Sequence, residues 1–305
     1  MFFNCIYVFE CNIAGMKGLL ILFAGVTVVF WNVENFFAPG QGPHAELWTV
    51  ARMRRKCEGV AKTLLLLASE TDGLPDAIGF AEVGDRSVME KLLYGTALGR
   101  ADYTIVHYDS PDRRGIDCAL LYRRSRLKLL YSQPAVIMDG ADTVRTRDIL
   151  LAKFVAELSG DTLAILVNHH PSKLGGAEAG HRRELAMQTM LGICDTLPCP
   201  AVCIGDFNDK AGSLGIGPLT ELEPDSFSNP DSHAAGTARY NGEWVLIDRC
   251  MVSAGLERSR MTVFDHPSLL QKENAHGGMK PVRTFIGPRY AGGLSDHLPV
   301  YVVVH

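Results

Sequence analysis

The chain has 305 residues, with 30 Lys and Arg against 34 Asp and Glu, a net charge of −4 with histidine neutral. That balance excludes nucleic-acid binding by bulk charge alone, while a local basic groove stays open. Hydrophobic residues at 47% and charged residues at 21% exclude a disordered chain, and the glycines and prolines carry no collagen-like period.

Near the N-terminus lies an apolar run, GLLILFAGVTVVFW at 18–31, too short to span a bilayer comfortably. Preceded by Met16 and Lys17, it has the outline of an export signal read from an internal start, but no A-x-A-like cleavage site follows. The expectation is a buried first strand at Thr27–Asn32, with residues 1–26 as an N-terminal apolar extension. A cytoplasmic location is expected, with export through the segment near Met16 as the alternative.

Pro39-Gly40 and Gly42-Pro43 mark a loop. From Glu46 to Ser69, apolar residues such as Val50, Met53, Cys57, Val60, Leu64 and Leu67 recur every three or four positions. This predicts an amphipathic helix with Arg52, Arg54, Arg55 and Lys56 mostly on its outer side. A strand at Ala77–Val83, a helix at Ser87–Leu98 and strands at Tyr103–His107, Ile116–Tyr122 and Ser125–Tyr131 follow. Arg123, Arg124, Arg126 and Lys128 are expected on a solvated strand face that protects an edge. Ile149–Leu158 and Thr162–Asn168 read as a hairpin, Gly180–Thr196 as a helix, and Ala201–Gly205, Leu246–Val252 and Val300–Val304 as buried strands. Loops fill 211–240 and 265–293. The eight cysteines form no C-x-x-C pair, and Cys194, Cys199 and Cys203 fit no zinc spacing. They read as small buried thiols of an intracellular protein. Many strands with few helices predict sheets covered by helices. The length gives about two domains as a prior, but no stretch resembles a linker between two cores.

Five polar clusters share one arrangement, strand residues running into carboxylates, amides or histidines. They are VVFWNVEN (28–35), IGFAEV (78–83), LVNHHPSK (166–173), CIGDFND (203–209) and GLSDHLPVY (293–301). Converging strand ends are where α/β folds build sites. Oxygen-rich donors with few cysteines favour a hard cation such as Mg²⁺ or Mn²⁺, which uses one or two carboxylates and leaves positions for phosphate oxygens. Glu82 is the lone carboxylate at its strand end, Asp296 stands beside His297, and Asn32 offers a neutral oxygen. This composition is expected for metal-assisted hydrolysis of a phosphate ester. GSLGIGP (212–218) lacks the spacing and the Lys-Ser/Thr of a phosphate loop, and no G-x-S-x-G or H-E-x-x-H occurs.

In this order, the clusters resemble the endonuclease/exonuclease/phosphatase superfamily, which includes DNase I-like nucleases and inositol phosphatases. GDFND (205–209) and SDHLPV (295–300) carry the resemblance most specifically, with WNVEN (31–35), RGIDCALLYR (114–123), TRDIL (146–150) and NHHPSKLGG (168–176) beside them. It spans roughly residues 27–304 and points to a bacterial branch of the superfamily. The resemblance implies an α/β four-layer sandwich of two mostly antiparallel sheets flanked by helices, with residues 27–305 as one domain. It implies that Asn32, Glu82 and Asp296 belong to a metal site. Asp206 and Asn208 would orient the attacking water and the phosphate, His297 would contact the scissile phosphate with its ring held by Asp248, and His169 would be a second histidine at the phosphate. The branch usually has a bulky aromatic residue where this chain has His170. If the strand continues, His169 and His170 point opposite ways, and His169 is the expected one.

Arg114 and Arg147 sit beside strand starts where a guanidinium could grip a phosphate, with Asp117 placed to hold Arg114, and Lys173 follows the histidines. The implied protein is a divalent-metal-dependent phosphoester hydrolase, a nuclease or phosphodiesterase. The alternatives are a phosphatase on a small or lipid phosphate and a catalytically silent binding protein. Its expected partner is the phosphoester substrate, nucleic acid or a small or lipid phosphate. No obligate protein partner is expected, and the chain is expected to be a monomer.

Overall fold

The computed structural model describes residues 10–13, 16–19, 25–71, 73–173, 175–210, 212, 215–227 and 234–305. Most of the apolar run before residue 25 lies outside the described residues, and so does the question of a leader. Met16–Leu19 pairs with Glu10–Ile13 in a separate hairpin. No helix among the described residues is long and apolar enough to cross a membrane.

The strands are β1 (Val26–Phe36), β2 (Ala77–Val83), β3 (Tyr103–His107), β4 (Asp117–Arg123), β5 (Leu127–Ala135), β6 (Ile149–Ala156), β7 (Thr162–His169), β8 (Ala201–Asp206), β9 (Thr220–Leu222), β10 (Pro224–Phe227), β11 (Asp248–Val252), β12 (Arg260–Val263) and β13 (Val300–Val304). Short two-stranded hairpins decorate the later loops. The helices are α1 (Val50–Leu67), α2 (Arg86–Tyr94) and α3 (Gly176–Thr196).

One sheet has the order β10-β12-β13-β1-β2-β4-β3 and the other β9-β11-β8-β7-β6-β5. Pairings are antiparallel except β1 with β2, β7 with β8, and β10 with β12. The expected mixed α/β fold of two large sheets with few helices is therefore present. Alternation makes the layers. From the second sheet, Leu150, Ala152, Phe154, Ile165, Val167, Val202 and Ile204 join Phe30 and Ile78 in the main core. The opposite faces of the same strands, Leu151, Ala164, Leu166 and Cys203, pack with Met187 and Met190 of α3. Each fully buried Val, Leu, Ile, Phe or Met side chain among these contributes roughly 1.5–3 kcal/mol. β5 is the edge of its sheet, but Arg124 and Arg126 do not lie on its face as expected: they stand in the turn before it, Arg126 pairing with Asp76 at 2.8 Å and Arg124 with Asp102 at 2.9 Å.

Caps move the helix bounds away from those read by periodicity. Thr49 accepts the amide of Arg52, so α1 starts at Val50 rather than Glu46. Asp85 caps α2, which stops at Gly95, and Ala97–Arg100 forms a separate 3₁₀ turn.

Candidate active site

Strand parity builds the first half of the site. In β7, Ile165 and Val167 face the inter-sheet core, and His169 continues that series. Asp206 follows Val202 and Ile204 on the same parity in β8, and Asp248 precedes Cys250 and Val252 in β11. Register then aligns the three, with His169 the partner of Asp206 and Asp206 the partner of Asp248. One rung across three strands thus carries three titratable side chains. His170, on the other parity, turns its ring edge to Phe207 at 4.8 Å on the α3 side.

His297 reaches this rung from the loop before β13. Its Nδ1 lies 2.8 Å from Asp248 Oδ2 and its Nε2 3.9 Å from Asp206 Oδ2, while His169 Nε2 is 3.7 Å from the same Asp206 oxygen. The loop is pinned to β1: Ser295 Oγ donates to Asn32 O at 2.6 Å, and Trp31 Nε1 donates to His297 O at 2.9 Å. Asn32 Nδ2 donates to Asp206 Oδ2 at 3.0 Å, and the Asn208 amide donates to Asp206 Oδ1 at 2.9 Å.

Charge follows from this geometry. Burial pushes the Asp206 carboxyl up to about 7; Asp248 adds to the rise, and His297, Asn32 and Asn208 oppose it. Burial pulls the His297 imidazolium down, but Asp248 outweighs it and holds the ring well above its usual value. Burial, aided by Arg147 and Arg114, keeps His169 well below its usual value. The rung therefore offers a proton-holding His297, a neutral His169 and a carboxylate poised between its two forms.

The second half of the site is built on strained backbone. β1 shifts register between Asn32 and Phe36, and β2 between Phe80 and Val83. At these bulges Glu34, Asn35 and Glu82 take φ of 42°, 49° and 63°, and Asn208 takes 51°. Non-glycine residues rarely adopt this region, and such residues gather at functional sites. Glu82 Oε2 accepts the Asn35 amide at 2.7 Å, and its Oε1 lies 3.8 Å from Arg114. Asp296 pairs with Arg283 at 3.0 Å, and Arg283 also donates to Glu34 Oε1 at 2.9 Å.

Lys56 corrects the sequence reading. Only 2% exposed, it points inward from α1, donating from Nζ to Glu34 O at 2.6 Å and Thr284 Oγ1 at 2.7 Å. Burial lowers its pKa to about 8, although Glu34, Glu82 and Asp296 all favour its charged form. A second correction concerns Arg114. Asp117 does not hold it but accepts the Ser110 amide at 2.8 Å and lies 3.2 Å from His107 Nε2. Arg114 instead stands 3.8 Å from both Asp112 and Glu82. Arg147 is buried, pairs with Asp112 at 3.2 Å and donates to His170 O. That oxygen also accepts Asn208 Nδ2 at 3.0 Å. Lys173 pairs with Asp209 at 3.0 Å. Glu34, Lys56 and Arg283 escaped the sequence reading. Glu34 stands inside WNVEN and was readable there, whereas Lys56 carried only the signal of a helical basic cluster.

Asp206, Asp248 and His297 offer ligand atoms within 4.8 Å of one another. Asn32, Glu82 and Asp296 supply only oxygen donors beside them, the chemistry that suits a hard divalent cation which keeps several waters.

No curated protein sequence matches the chain. Among solved structures, an endonuclease/exonuclease/phosphatase family protein from Bacteroides thetaiotaomicron superposes with a TM-score of 0.62 at 17% identity, covering 92% of this chain and 97% of that one. D. rerio TDP2 complexed with single strand DNA product gives 0.58 at 16%, covering 92% and 99%. A Bacteroides thetaiotaomicron mannosyl-6-phosphatase gives 0.60 at 15%, also covering 92% and 99%. The profile of the Endonuclease/Exonuclease/phosphatase family matches residues 27–305, and the chain belongs to that family of phosphoester hydrolases.

Proposed function

We propose that the protein is a divalent-metal-dependent phosphoester hydrolase acting as a nuclease or phosphodiesterase. The observation that carries this reading is the rung of His169, Asp206 and Asp248, with His297 closing on it from the last loop. Asn32, Glu82 and Asp296 would hold Mg²⁺ or Mn²⁺. When bound, the ion neutralises phosphate charge and polarises the phosphoryl oxygens.

Asp206 accepts the proton of the attacking water, a task suited to a carboxyl whose pKa lies near 7. Asn32 and Asn208 orient that carboxylate through their bonds to its two oxygens. Asp248 fixes the His297 ring through Nδ1, leaving Nε2–H to stabilise the negative charge that develops on the phosphate. Neutral His169 adds a second ring nitrogen beside Asp206. Arg114, Arg147 and Lys173 draw the phosphate toward this set.

A phosphatase acting on a small phosphate is the second reading, supported by the likeness to the mannosyl-6-phosphatase structure. The test is turnover by purified protein with Mg²⁺ or Mn²⁺ on DNA, RNA, inositol phosphates and bis(p-nitrophenyl) phosphate. Asp206→Ala and His297→Ala are each expected to lower kcat by about 10²–10⁴-fold with the fold retained. Unchanged turnover by either variant overturns the assignment. Rates that rise with oligonucleotide length and fall steeply with salt select the nuclease.

A further inference from the structure

Beside the rung, a cleft of about 220 Å³ opens between the segment around Arg113 and Arg114, the Arg145–Arg147 stretch before β6, and the first turn of α3. We propose that this cleft is a second anion subsite, which binds a phosphate of the substrate other than the one being hydrolysed. The inference rests on the hydrolase reading above and narrows its substrate to phosphoesters that carry a second phosphate group.

Charge is the first support. Arg113, Arg114, Arg145, Arg147 and Arg182 line the cleft against two acids, Asp112 and Glu178. Both acids are already engaged: Asp112 by Arg147 and Arg114, and Glu178 by Arg182. Arg113 and Arg145 are exposed, and among the described residues neither makes an ion pair or a side-chain hydrogen bond. Two free guanidiniums lining one cleft, in a chain of net charge −4, form a local anion trap.

Unpartnered buried donors are the second support. Thr146 lines the cleft, is 2% exposed, and its hydroxyl has no partner among the described residues. The Nε of buried Arg147 has none either. Such groups cost stability unless a ligand or water satisfies them. The opposite wall is the first turn of α3, a 21-residue helix whose N-cap, Gly175 at φ 118°, provides no side-chain cap. Its first amides and the positive end of the helix face an anion favourably.

Position completes the case. Arg114 stands 3.8 Å from Glu82 and 3.8 Å from Asp112. Asp112 holds Arg147, which donates to the carbonyl of His170, next to His169. The cleft and the rung therefore share a wall, so a substrate can reach both with neighbouring phosphates.

Two measurements test the proposal. In calorimetric titration of the full chain with inorganic pyrophosphate, the wild type binds and Arg113→Ala/Arg145→Ala weakens binding at least tenfold. In the second, thymidine 5′-(p-nitrophenyl phosphate) is compared with its 3′-phosphorylated form. The 3′-phosphate raises kcat/KM at least tenfold in the wild type, and this preference ratio falls to about one in the double variant. Equal pyrophosphate binding by the two proteins, or a preference ratio that survives in the variant, overturns the subsite. If neither ester is hydrolysed, the pyrophosphate titration alone decides the cleft, and the hydrolase reading is decided by the DNA, RNA and inositol phosphate panel above. Rate preferences that extend along an oligonucleotide series assign the second phosphate to a nucleic-acid backbone, and preferences confined to a sugar bisphosphate assign it to a small molecule.

Discussion

Asp206 sits where charge is both needed and costly. It is 2% exposed, shares its surroundings with Asp248, and keeps its proton up to about pH 7. An unfolded aspartate releases that proton near 3.9. The folded state thus holds more protons than the unfolded state between about pH 4 and pH 7, and stability falls as pH rises through that window. Replacing Asp206 by Asn removes the penalty along with the chemistry. With chelator present, Asp206→Asn should be inactive yet more stable than wild type at pH 8, by on the order of 2–4 kcal/mol, with the margin shrinking toward pH 4. Denaturant melts at both pH values check this, and a variant less stable than wild type at pH 8 would sink it. At this scale the sequence was legible where a polar residue ends a strand: His169 and Asp206 are the last residues of β7 and β8 and Glu82 the last but one of β2, whereas Asn32 stands inside β1, which continues to Phe36, and His297 stands in the loop before β13. The sequence was not legible for Lys56. Its burial depends on the Glu34 carbonyl and Thr284, residues 22 and 228 positions away, and helix periodicity carries no trace of them.

Elements convert these residues into a site through register. The parity of β7, β8 and β11 was readable from alternating apolar residues, but the alignment of His169 with Asp206 and of Asp206 with Asp248 was not. Strand pairing between distant segments is fixed by packing rather than by local pattern. Gly205 shows how tight the pairing is. It pairs in parallel with Asn168, and a Cβ there would stand 2.2 Å from the Asn168 carbonyl oxygen. Backbone cannot move aside as a side-chain tip can, so β8 must shift and carry Asp206 with it. Gly205→Ala should cost at least about 1–3 kcal/mol and most of the activity. Gly192 in α3 meets nothing within 4 Å, and Gly192→Ala should stabilise the protein by roughly 0.5–1 kcal/mol with activity kept. Thermal melts and turnover of the pair separate the two effects. A tolerated Gly205→Ala would show that β7 and β8 are looser than this register requires.

Across the molecule, the two ends of the matched region meet. β1 lies between β13 and β2, so Val26–Val304 and Phe30–Val300 are neighbours although they come from opposite ends of the region. The proposed metal donors follow the same closure: Asn32 and Glu82 come from β1 and β2, and Asp296 from the loop that Ser295 pins to β1. A cation held there binds only when these segments are assembled, so it must stabilise the folded state by mass action. At a concentration about a hundredfold above its dissociation constant, that stabilisation is roughly 2.7 kcal/mol. Titrating Mg²⁺ into the wild type should therefore raise Tm by several degrees, saturating as the site fills. Glu82→Gln keeps a group that can accept the Asn35 amide but loses the charge, and its Tm should respond weakly or not at all. An equal rise in both proteins would remove Glu82 from the metal site. No rise in the wild type at millimolar Mg²⁺ or Mn²⁺ would remove the metal itself. Because this readout needs no substrate, it separates the question of what the site holds from the question of what it cleaves.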